Sequence, residues 1–128
     1  MSLRFAMLTT FYPPFSFGGD AIGIERLCRG LVRRGHHVTV IHDEDAFTSV
    51  AGRRAGGAGA AGGAAGRAPL RPPPTPGLEV VGLRSRHGLL SNLLTHQFGR
   101  PVWHGREIAR ILRDGRFDVV NFHNVSLL

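Results

Sequence analysis

Gly18 and Gly19 are the first residues of this chain whose types and spacing could do chemistry. They end a long loop that contains Pro13 and Pro14, and they directly precede Asp20 and an apolar helical pattern. The start of a helix offers free backbone N–H groups and the positive end of its dipole, which together bind anions such as phosphate. We therefore expect the two glycines to lie against an anion, with a simple turn before the helix as the alternative.

The spacing of this loop excludes two common phosphate-binding motifs. A dinucleotide-binding fold carries GxGxxG in a tight turn after its first strand, whereas nine residues separate Thr9 from Gly19. The GxxxxGK[ST] loop needs a lysine, and all 16 basic residues of this chain are arginine. We expect the glycines to let the backbone approach a ligand in a wider pocket between two domains.

Three acidic residues, Asp43, Glu44 and Asp45, follow the second predicted strand. Asp43 could hydrogen-bond a ribose, as acidic residues do at this place in nicotinamide-binding folds. Asp43 and Asp45 could instead hold a divalent cation, since paired carboxylates suit hard cations. Most often such residues form a solvated turn at the end of a strand. We favour the solvated turn and expect no metal at these residues.

The chain has seven histidines, which could indicate a metal site, but their spacing matches no common metal-binding motif. HExxH is absent, and the segment HGRE at 104–107 lacks the second histidine. His36 and His37 lie in the turn that enters the second predicted strand and are expected at the surface. His123 ends the last predicted strand, beside Asn124, where an imidazole can donate to a phosphate or polarise a sugar hydroxyl. Capping of the strand end is the structural alternative.

Hydrophobic periodicity predicts the elements that must position these side chains. Strands are predicted at 3–9, 37–42, 78–83 and 117–122, the first of them buried on both faces, and helices are predicted at 20–34, 88–98 and 101–113. In the first helix, Asp20 is predicted to be the N-cap and Gly35 the left-handed stop. Its apolar stripe is Ile24, Leu27, Cys28, Leu31 and Val32. In the last helix, Val102, Ile108, Ala109 and Leu112 are predicted to face inward, with Gly115 ending the helix.

Strands that alternate with helices predict an α/β fold, a Rossmann-like parallel sheet with right-handed crossovers. Ligands of such sheets bind beyond the carboxyl ends of the strands. The Gly18–Gly19 loop, the acidic residues 43–45, and His123 with Asn124 would all converge on that edge. This convergence is the strongest argument for function that the residues themselves provide.

Composition predicts one domain interrupted by a flexible insertion. Residues 51–68 contain only Ala, Gly and Arg, and residues 69–77 hold five of the eight prolines. Neither stretch has the apolar side chains that would offset the entropy of ordering it. The chain of 128 residues is therefore expected to be a single, partial Rossmann-like domain with an insertion at 51–77.

Charge and cysteine content indicate which classes of partner and which cellular compartment to expect. The net charge is +7, but the arginines are scattered and form no patch with aromatic residues, so no nucleic-acid partner is expected. The basic charge also allows a peripheral contact with a membrane surface. The single cysteine, Cys28, is predicted to be buried and suits a reducing compartment. No leader pattern or membrane-spanning run is visible, which predicts a cytoplasmic protein.

Two segments resemble a known family in their order and spacing. MLTTFYPPFSFGGDAIGIERLCRGLVRRGHHVTVIH and FDVVNFHNVSLL look like parts of the amino-terminal domain of glycosyltransferases of the family 4 type. These enzymes have the GT-B fold, in which two Rossmann-like domains face each other. The resemblance covers roughly residues 3–45 and 100–128 and leaves the insertion unmatched. It implies an incomplete amino-terminal half of a GT-B fold, on the acceptor side.

The resemblance also implies roles for particular residues. Gly18 and Gly19 would contact the phosphates of a nucleotide-sugar donor, which the carboxyl-terminal domain mainly holds. His123 would be the catalytic residue that reaches the transferred sugar or the acceptor. Asp20 and Asn124 would be substrate-binding neighbours. The implied reaction is glycosyl transfer with retention of configuration, with a nucleoside diphosphate as the leaving group and with no metal and no cofactor.

The family's carboxylate-bearing donor motif is absent from these residues. We therefore expect a fragment that has no transferase activity without a carboxyl-terminal domain. Its implied partners are that domain, the nucleotide-sugar donor and an unidentified acceptor. The alternative is a non-catalytic nucleotide- or phosphate-binding Rossmann-like module in which Asp43 holds the ribose.

Overall fold

The computed structural model describes residues 1–16, 19–48, 74–84 and 104–123. The regular elements, in chain order, are β1 (Arg4–Thr9), α1 (Gly19–Arg33), β2 (His37–Asp43), β3 (Leu78–Leu83), α2 (Gly105–Asp114) and β4 (Val119–His123). A short helical segment at 44–48 directly follows β2. The predicted strands and α1 agree with these bounds to within two residues, and β3 agrees at both ends.

The four strands form one parallel sheet in the order β3-β2-β1-β4. Thr9, at the carboxyl end of β1, pairs in register with His42 on one side and with His123 on the other. His42 is in turn opposite Gly82 of β3. The predicted α/β class with a parallel, Rossmann-like sheet is confirmed, and the ends of all four strands lie at the same edge.

Apolar side chains pack on both faces of the sheet, as expected where helices cover a parallel sheet. On one face, residues of β1 and β2 pack with α1, and the buried members are Met7, Tyr12, Ile24, Cys28, Val38 and Val40. On the other face, α2 covers a second cluster whose buried members are Ala6, Leu8, Ile41, Leu83 and Ile108. The two faces are called here the α1 face and the α2 face.

Helix α1 begins one residue earlier than Asp20, so the prediction that Asp20 is the N-cap is wrong. Asp20 lies in the first turn instead, where its carboxylate interacts favourably with the positive end of the helix dipole. Gly35 follows the helix with φ +86°, in the left-handed conformation predicted for it. The predicted stripe is wrong at Leu27, which is 42% exposed, while Ala21 is buried with Ile24 and Cys28.

Helix α2 ends as predicted, with the Gly115 N–H bonded to the Ile111 carbonyl. The reversal of the chain occurs one residue later, at Arg116, with φ +46°. Ile108 is buried, but Ala109 is exposed, so its predicted inward position is wrong. Only one side of this helix can face the sheet, and Ile108 with Ile111 and Leu112 already occupies that side.

Residues 74–77 of the predicted insertion form a turn that leads into β3. The Leu78 N–H bonds to the Thr75 carbonyl, and the Gly77 carbonyl accepts from Val38 N–H. The rest of the insertion, the predicted helix at 88–98 and residues 101–103, with Pro101 and Val102, lie outside the described residues. Within the described ranges, no helix combines the length and the apolar character that a membrane span requires.

Candidate functional site

His123 is the last residue of β4 and lies at the carboxyl edge of the sheet. It stands opposite Thr9, on the α1 face, because residues paired in register share a face. The imidazole Nε2 atom is buried and has no hydrogen-bond partner in the described part of the chain. A ligand at this edge could supply the missing partner. Asn124, the predicted neighbour, lies outside the described residues.

The start of α1 provides exposed polar groups. Gly19 and Asp20 are its first two residues, and both are exposed. A side chain at Gly19 would meet no atom within 4 Å, so packing within the described chain does not require glycine there. The first N–H groups of a helix have no partner within the helix and remain available to an anion. Gly18 lies outside the described residues.

The loop after β1 folds back over the carboxyl edge. Tyr12 and Phe15 are buried, and a backbone bridge joins them around the Pro13–Pro14 turn. The Phe15 ring stacks on the ring of His42, with 5.8 Å between centroids. Burial is the main cause that raises the pKa of the Tyr12 hydroxyl. The loop is therefore a packed aromatic wall rather than the tight phosphate turn of a dinucleotide-binding fold.

A cavity of about 340 Å³ lies beside this wall, between the loop, α1 and β3. Its aromatic lining includes Tyr12, Phe15 and His42, while Glu25 and Arg29 of α1 contribute charges. Two hydrogen bonds of 2.8 and 3.0 Å join the Arg29 guanidinium to Glu25 Oε1, and they raise the pKa of Arg29. The volume lies in the range of small-molecule pockets, which are commonly apolar with a few polar groups.

Asp43 is buried at the end of β2, so the predicted solvated turn is wrong there. Its Oδ1 atom accepts hydrogen bonds from the N–H groups of Asp45 and Ala46, at 2.8 and 3.1 Å. That is the pattern of an N-cap, and it starts the helical segment 44–48. Burial raises the pKa of the Asp43 carboxyl, and the hydrogen bond from Ala46 opposes that effect. Capping, rather than solvation, explains an aspartate at this position.

Glu44 is also buried and lies directly over β3. Its carboxylate forms an ion pair with Arg84, just after the strand. A Cβ atom added at Gly82 would overlap the Glu44 side chain. Because Gly82 has no side chain, the Glu44 side chain can pack against β3 at the carboxyl edge.

His104 is a residue of this edge that the sequence reasoning missed. It directly precedes α2 and is buried, and its Nε2 atom lies 3.5 Å from Asp45 Oδ2. One ligand atom from each of Asp43, Asp45 and His104 lies within 4.8 Å of the others. The sequence carries no spacing signal for this cluster, since about 60 residues separate its histidine from its carboxylates.

The carboxyl edge thus contains two polar regions on opposite faces of the sheet. His123, the start of α1 and the aromatic cavity belong to the α1 face, and the Asp43 cluster belongs to the α2 face. No family description, no curated protein and no solved structure matches this chain. Its function is therefore inferred from the residues and their geometry.

Proposed function

We propose that this chain is the amino-terminal, acceptor-side part of a retaining glycosyltransferase of the GT-B type. The reaction breaks the bond between a sugar and a nucleoside diphosphate and forms a glycosidic bond to an acceptor. The chain provides one wall of the cleft in which this occurs, and a second domain holds most of the donor. The parallel sheet and the loop between β1 and α1 are the elements that such a wall needs.

The observation that carries the proposal is the buried, unpartnered Nε2 atom of His123, judged among the described residues. A buried polar atom without a partner costs about 1–3 kcal/mol. A sugar hydroxyl at the carboxyl edge would remove this cost by forming a hydrogen bond with the imidazole. His123 thereby orients the transferred sugar or the acceptor, as the family resemblance implies for this position.

The start of α1 suits the other end of the donor. Backbone N–H groups at Gly18 and Gly19 would donate to the diphosphate, where the helix dipole favours negative charge. The exposed carboxylate of Asp20 would repel a phosphate, so we assign it to a hydroxyl group of the substrate. Asn124 follows His123 in the sequence, and we assign it to a hydrogen bond with the same sugar.

The cavity on the α1 face is the best candidate for the acceptor. Its aromatic residues, Tyr12 and Phe15, offer flat apolar surfaces on which a sugar ring or another ring can stack. Glu25 and Arg29 supply hydrogen-bonding charges at its side. An acceptor with one apolar face and several hydroxyl groups matches this combination.

The alternative, a nucleotide-binding module that holds a ribose through Asp43, has less support. The Asp43 side chain is buried, and one of its oxygens caps the helical segment 44–48. Its carboxylate also lies on the α2 face, since Asp43 pairs with Leu83 of the second core cluster. A ribose that followed a diphosphate at the start of α1 would lie on the other face.

Nuclear magnetic resonance titration of the whole chain tests the proposal. UDP-glucose, GDP-mannose and UDP alone are added to labelled protein, and the amide signals of Gly19 and Asp20 and the ring signals of His123 are followed. We expect at least one nucleotide sugar to shift these signals. Its dissociation constant should be millimolar, which is a binding free energy of about −4 kcal/mol, because the chain forms only one wall of the cleft. His123→Ala should weaken that binding about tenfold, the effect of one good hydrogen bond.

The control is His37→Ala, because His37 is an exposed histidine at the amino end of β2, on the opposite edge of the sheet. This variant should bind like the wild type. Absence of shifts with every nucleotide sugar would overturn the proposal. Equal binding of UDP and UDP-glucose that His123→Ala leaves unchanged would favour the nucleotide-binding module instead.

A further inference from the structure

Three segments that are distant in sequence bring metal-ligating side chains together on the α2 face. Asp43 ends β2, Asp45 lies in the helical segment 44–48, and His104 directly precedes α2. One potential ligand atom of each lies within 4.8 Å of the other two. The cluster is separate from His123 and the start of α1, so it is independent of the proposed transfer site.

Two atoms of the cluster are buried without a hydrogen bond in the described ranges: Asp43 Oδ2 and His104 Nε2. The residues themselves are almost completely inaccessible, at 0% exposure for Asp43 and 3% for His104. Capping of the helical segment uses only the other carboxylate oxygen, Oδ1. A histidine before a helix can cap it, but His104 makes no such bond, and its ring is directed to Asp45 instead.

The separation of His104 Nε2 from Asp45 Oδ2, 3.5 Å, is long for a hydrogen-bonded pair. It is close to the distance of about 3.3 Å between two ligands that each lie about 2.0–2.1 Å from one tetrahedral zinc ion. The ligand atoms of all three residues lie within 4.8 Å of one another. The arrangement therefore places them close enough to share one cation.

We propose that Asp43, Asp45 and His104 bind one divalent transition-metal ion, with Zn²⁺ as the best match and water as a fourth ligand. One imidazole nitrogen and two carboxylate oxygens suit Zn²⁺, whereas Mg²⁺ and Ca²⁺ select oxygen ligands alone. The ion would offset the charge of the buried Asp43 carboxylate and would join β2, the helical segment and α2. From the sequence we expected no metal here, because acidic residues at the end of a strand most often form a solvated turn. In the structure Asp43 is buried, and His104 supplies a third ligand.

Zinc binding to the whole chain, freed of metal with a chelator, provides the test. Isothermal titration with ZnCl₂ should show one ion per chain. At a free zinc concentration about a hundredfold above the dissociation constant, Tm should rise by roughly 10 °C. Co²⁺ in place of Zn²⁺ should give the visible absorption of a four-coordinate cobalt ion. MgCl₂ should produce neither change.

Conservative variants locate the site. His104→Gln and Asp45→Asn should each weaken zinc binding at least about 100-fold, more than is usual for residues that only support a ligand. The matched controls are His37→Gln and Asp114→Asn, which remove an exposed histidine and an exposed carboxylate elsewhere. Circular dichroism establishes that each variant is folded. Wild-type affinity in folded His104→Gln would overturn the proposal.

X-ray absorption at the zinc edge tests the wild-type chain without any substitution. The expected spectrum has one imidazole and otherwise oxygen ligands. A thiolate ligand, which only the single cysteine Cys28 could provide, or two or more imidazoles would place the ion elsewhere and overturn the proposal. Absence of any zinc binding by the wild-type chain would also overturn it.

Discussion

At the scale of single residues, burial acts differently on the polar groups of the carboxyl edge. Asp43 is buried, yet one of its oxygens accepts two backbone hydrogen bonds. The Nε2 atom of His123 is buried without a partner among the residues that the structure describes. The second carboxylate oxygen of Asp43, Oδ2, has no partner among those residues either. Because Asp43 lies beside His104 on the α2 face and caps a helical segment, we propose a structural and metal-binding role for it. Substrate contact is proposed for His123, which lies on the α1 face.

Cys28 gives a prediction at this scale, because its thiol is completely buried between α1 and the sheet. Burial raises the pKa of the thiol to about 11. The reactive species is the thiolate, so the folded chain should react with a disulfide reagent at pH 8 at least about 100-fold more slowly than the chain unfolded in urea. Equal rates in the two states would contradict the burial of Cys28.

The same raised pKa predicts a pH dependence of stability. The folded state holds the thiol proton more tightly than the unfolded state, whose thiol keeps its ordinary pKa of 9.0. The contribution of Cys28 to stability is therefore complete below that pH and decreases as the pH rises through about 11. Urea unfolding from pH 8 to 11 should show a loss of about 2 kcal/mol in the wild type relative to Cys28→Ala. A constant difference between the two proteins would contradict this linkage.

At the scale of elements, the turn that follows β2 determines how the site is built. Asp43 starts the helical segment 44–48 by capping it, and Glu44 then turns back over β3 to pair with Arg84. Gly82 leaves the space that the Glu44 side chain fills. A charged residue can therefore be buried at the end of a strand without loss of its ionic partner.

Two glycine substitutions with opposite expected effects test this packing. Gly82→Ala would place a methyl group against Glu44 and should lower the free energy of unfolding by about 1–3 kcal/mol. Gly30→Ala, within α1, meets no atom within 4 Å and should raise it by about 0.5–1 kcal/mol. Urea unfolding curves measure both changes.

A double-mutant cycle identifies the cause of the Gly82 effect. If overlap with Glu44 is responsible, Gly82→Ala should lower the free energy of unfolding much less in a chain that already carries Glu44→Ala. An equal cost in both backgrounds would place the clash elsewhere.

At the scale of the whole molecule, the sheet is unevenly covered. Helix α2 packs over Ala6 and Leu8 of β1. Val120 and Phe122 of β4 pair with these two residues and lie on the same face, yet they are exposed, Phe122 by 60%. β4 is also an edge strand of the described sheet. An edge strand with exposed apolar side chains promotes association between chains.

We therefore expect concentration-dependent self-association that depends on β4. Phe122→Lys should shift the chain toward monomer in light scattering at high protein concentration. Ile22→Lys is the matched control, because it adds the same charge at an exposed apolar residue of α1, away from the sheet edge. Association that both variants reduce equally would show a general effect of charge rather than a role for β4.

The order of the elements and the parallel α/β class could be predicted from the sequence, because the signals for them are local. Strand β3 was predicted at both of its ends from the segment LEVVGL that follows the Pro-rich stretch, and the left-handed Gly35 from its position after an amphipathic helix. Apolar periodicity and stop residues act over a few neighbours, so the chain carries them without its tertiary contacts. The location of His123 at the carboxyl edge followed from the same parallel order.

Only the tertiary structure decided which polar groups are buried and which of them meet. The sequence predicts a solvated turn at Asp43, whereas the folded chain buries this residue completely. His104 lies far from Asp45 in the sequence, and only the fold brings the two side chains together. The exposure of Leu27 and Ala109 likewise depends on the angle at which each helix lies on the sheet. Burial and ligand geometry arise from contacts between residues far apart in the chain, and no local pattern encodes those contacts.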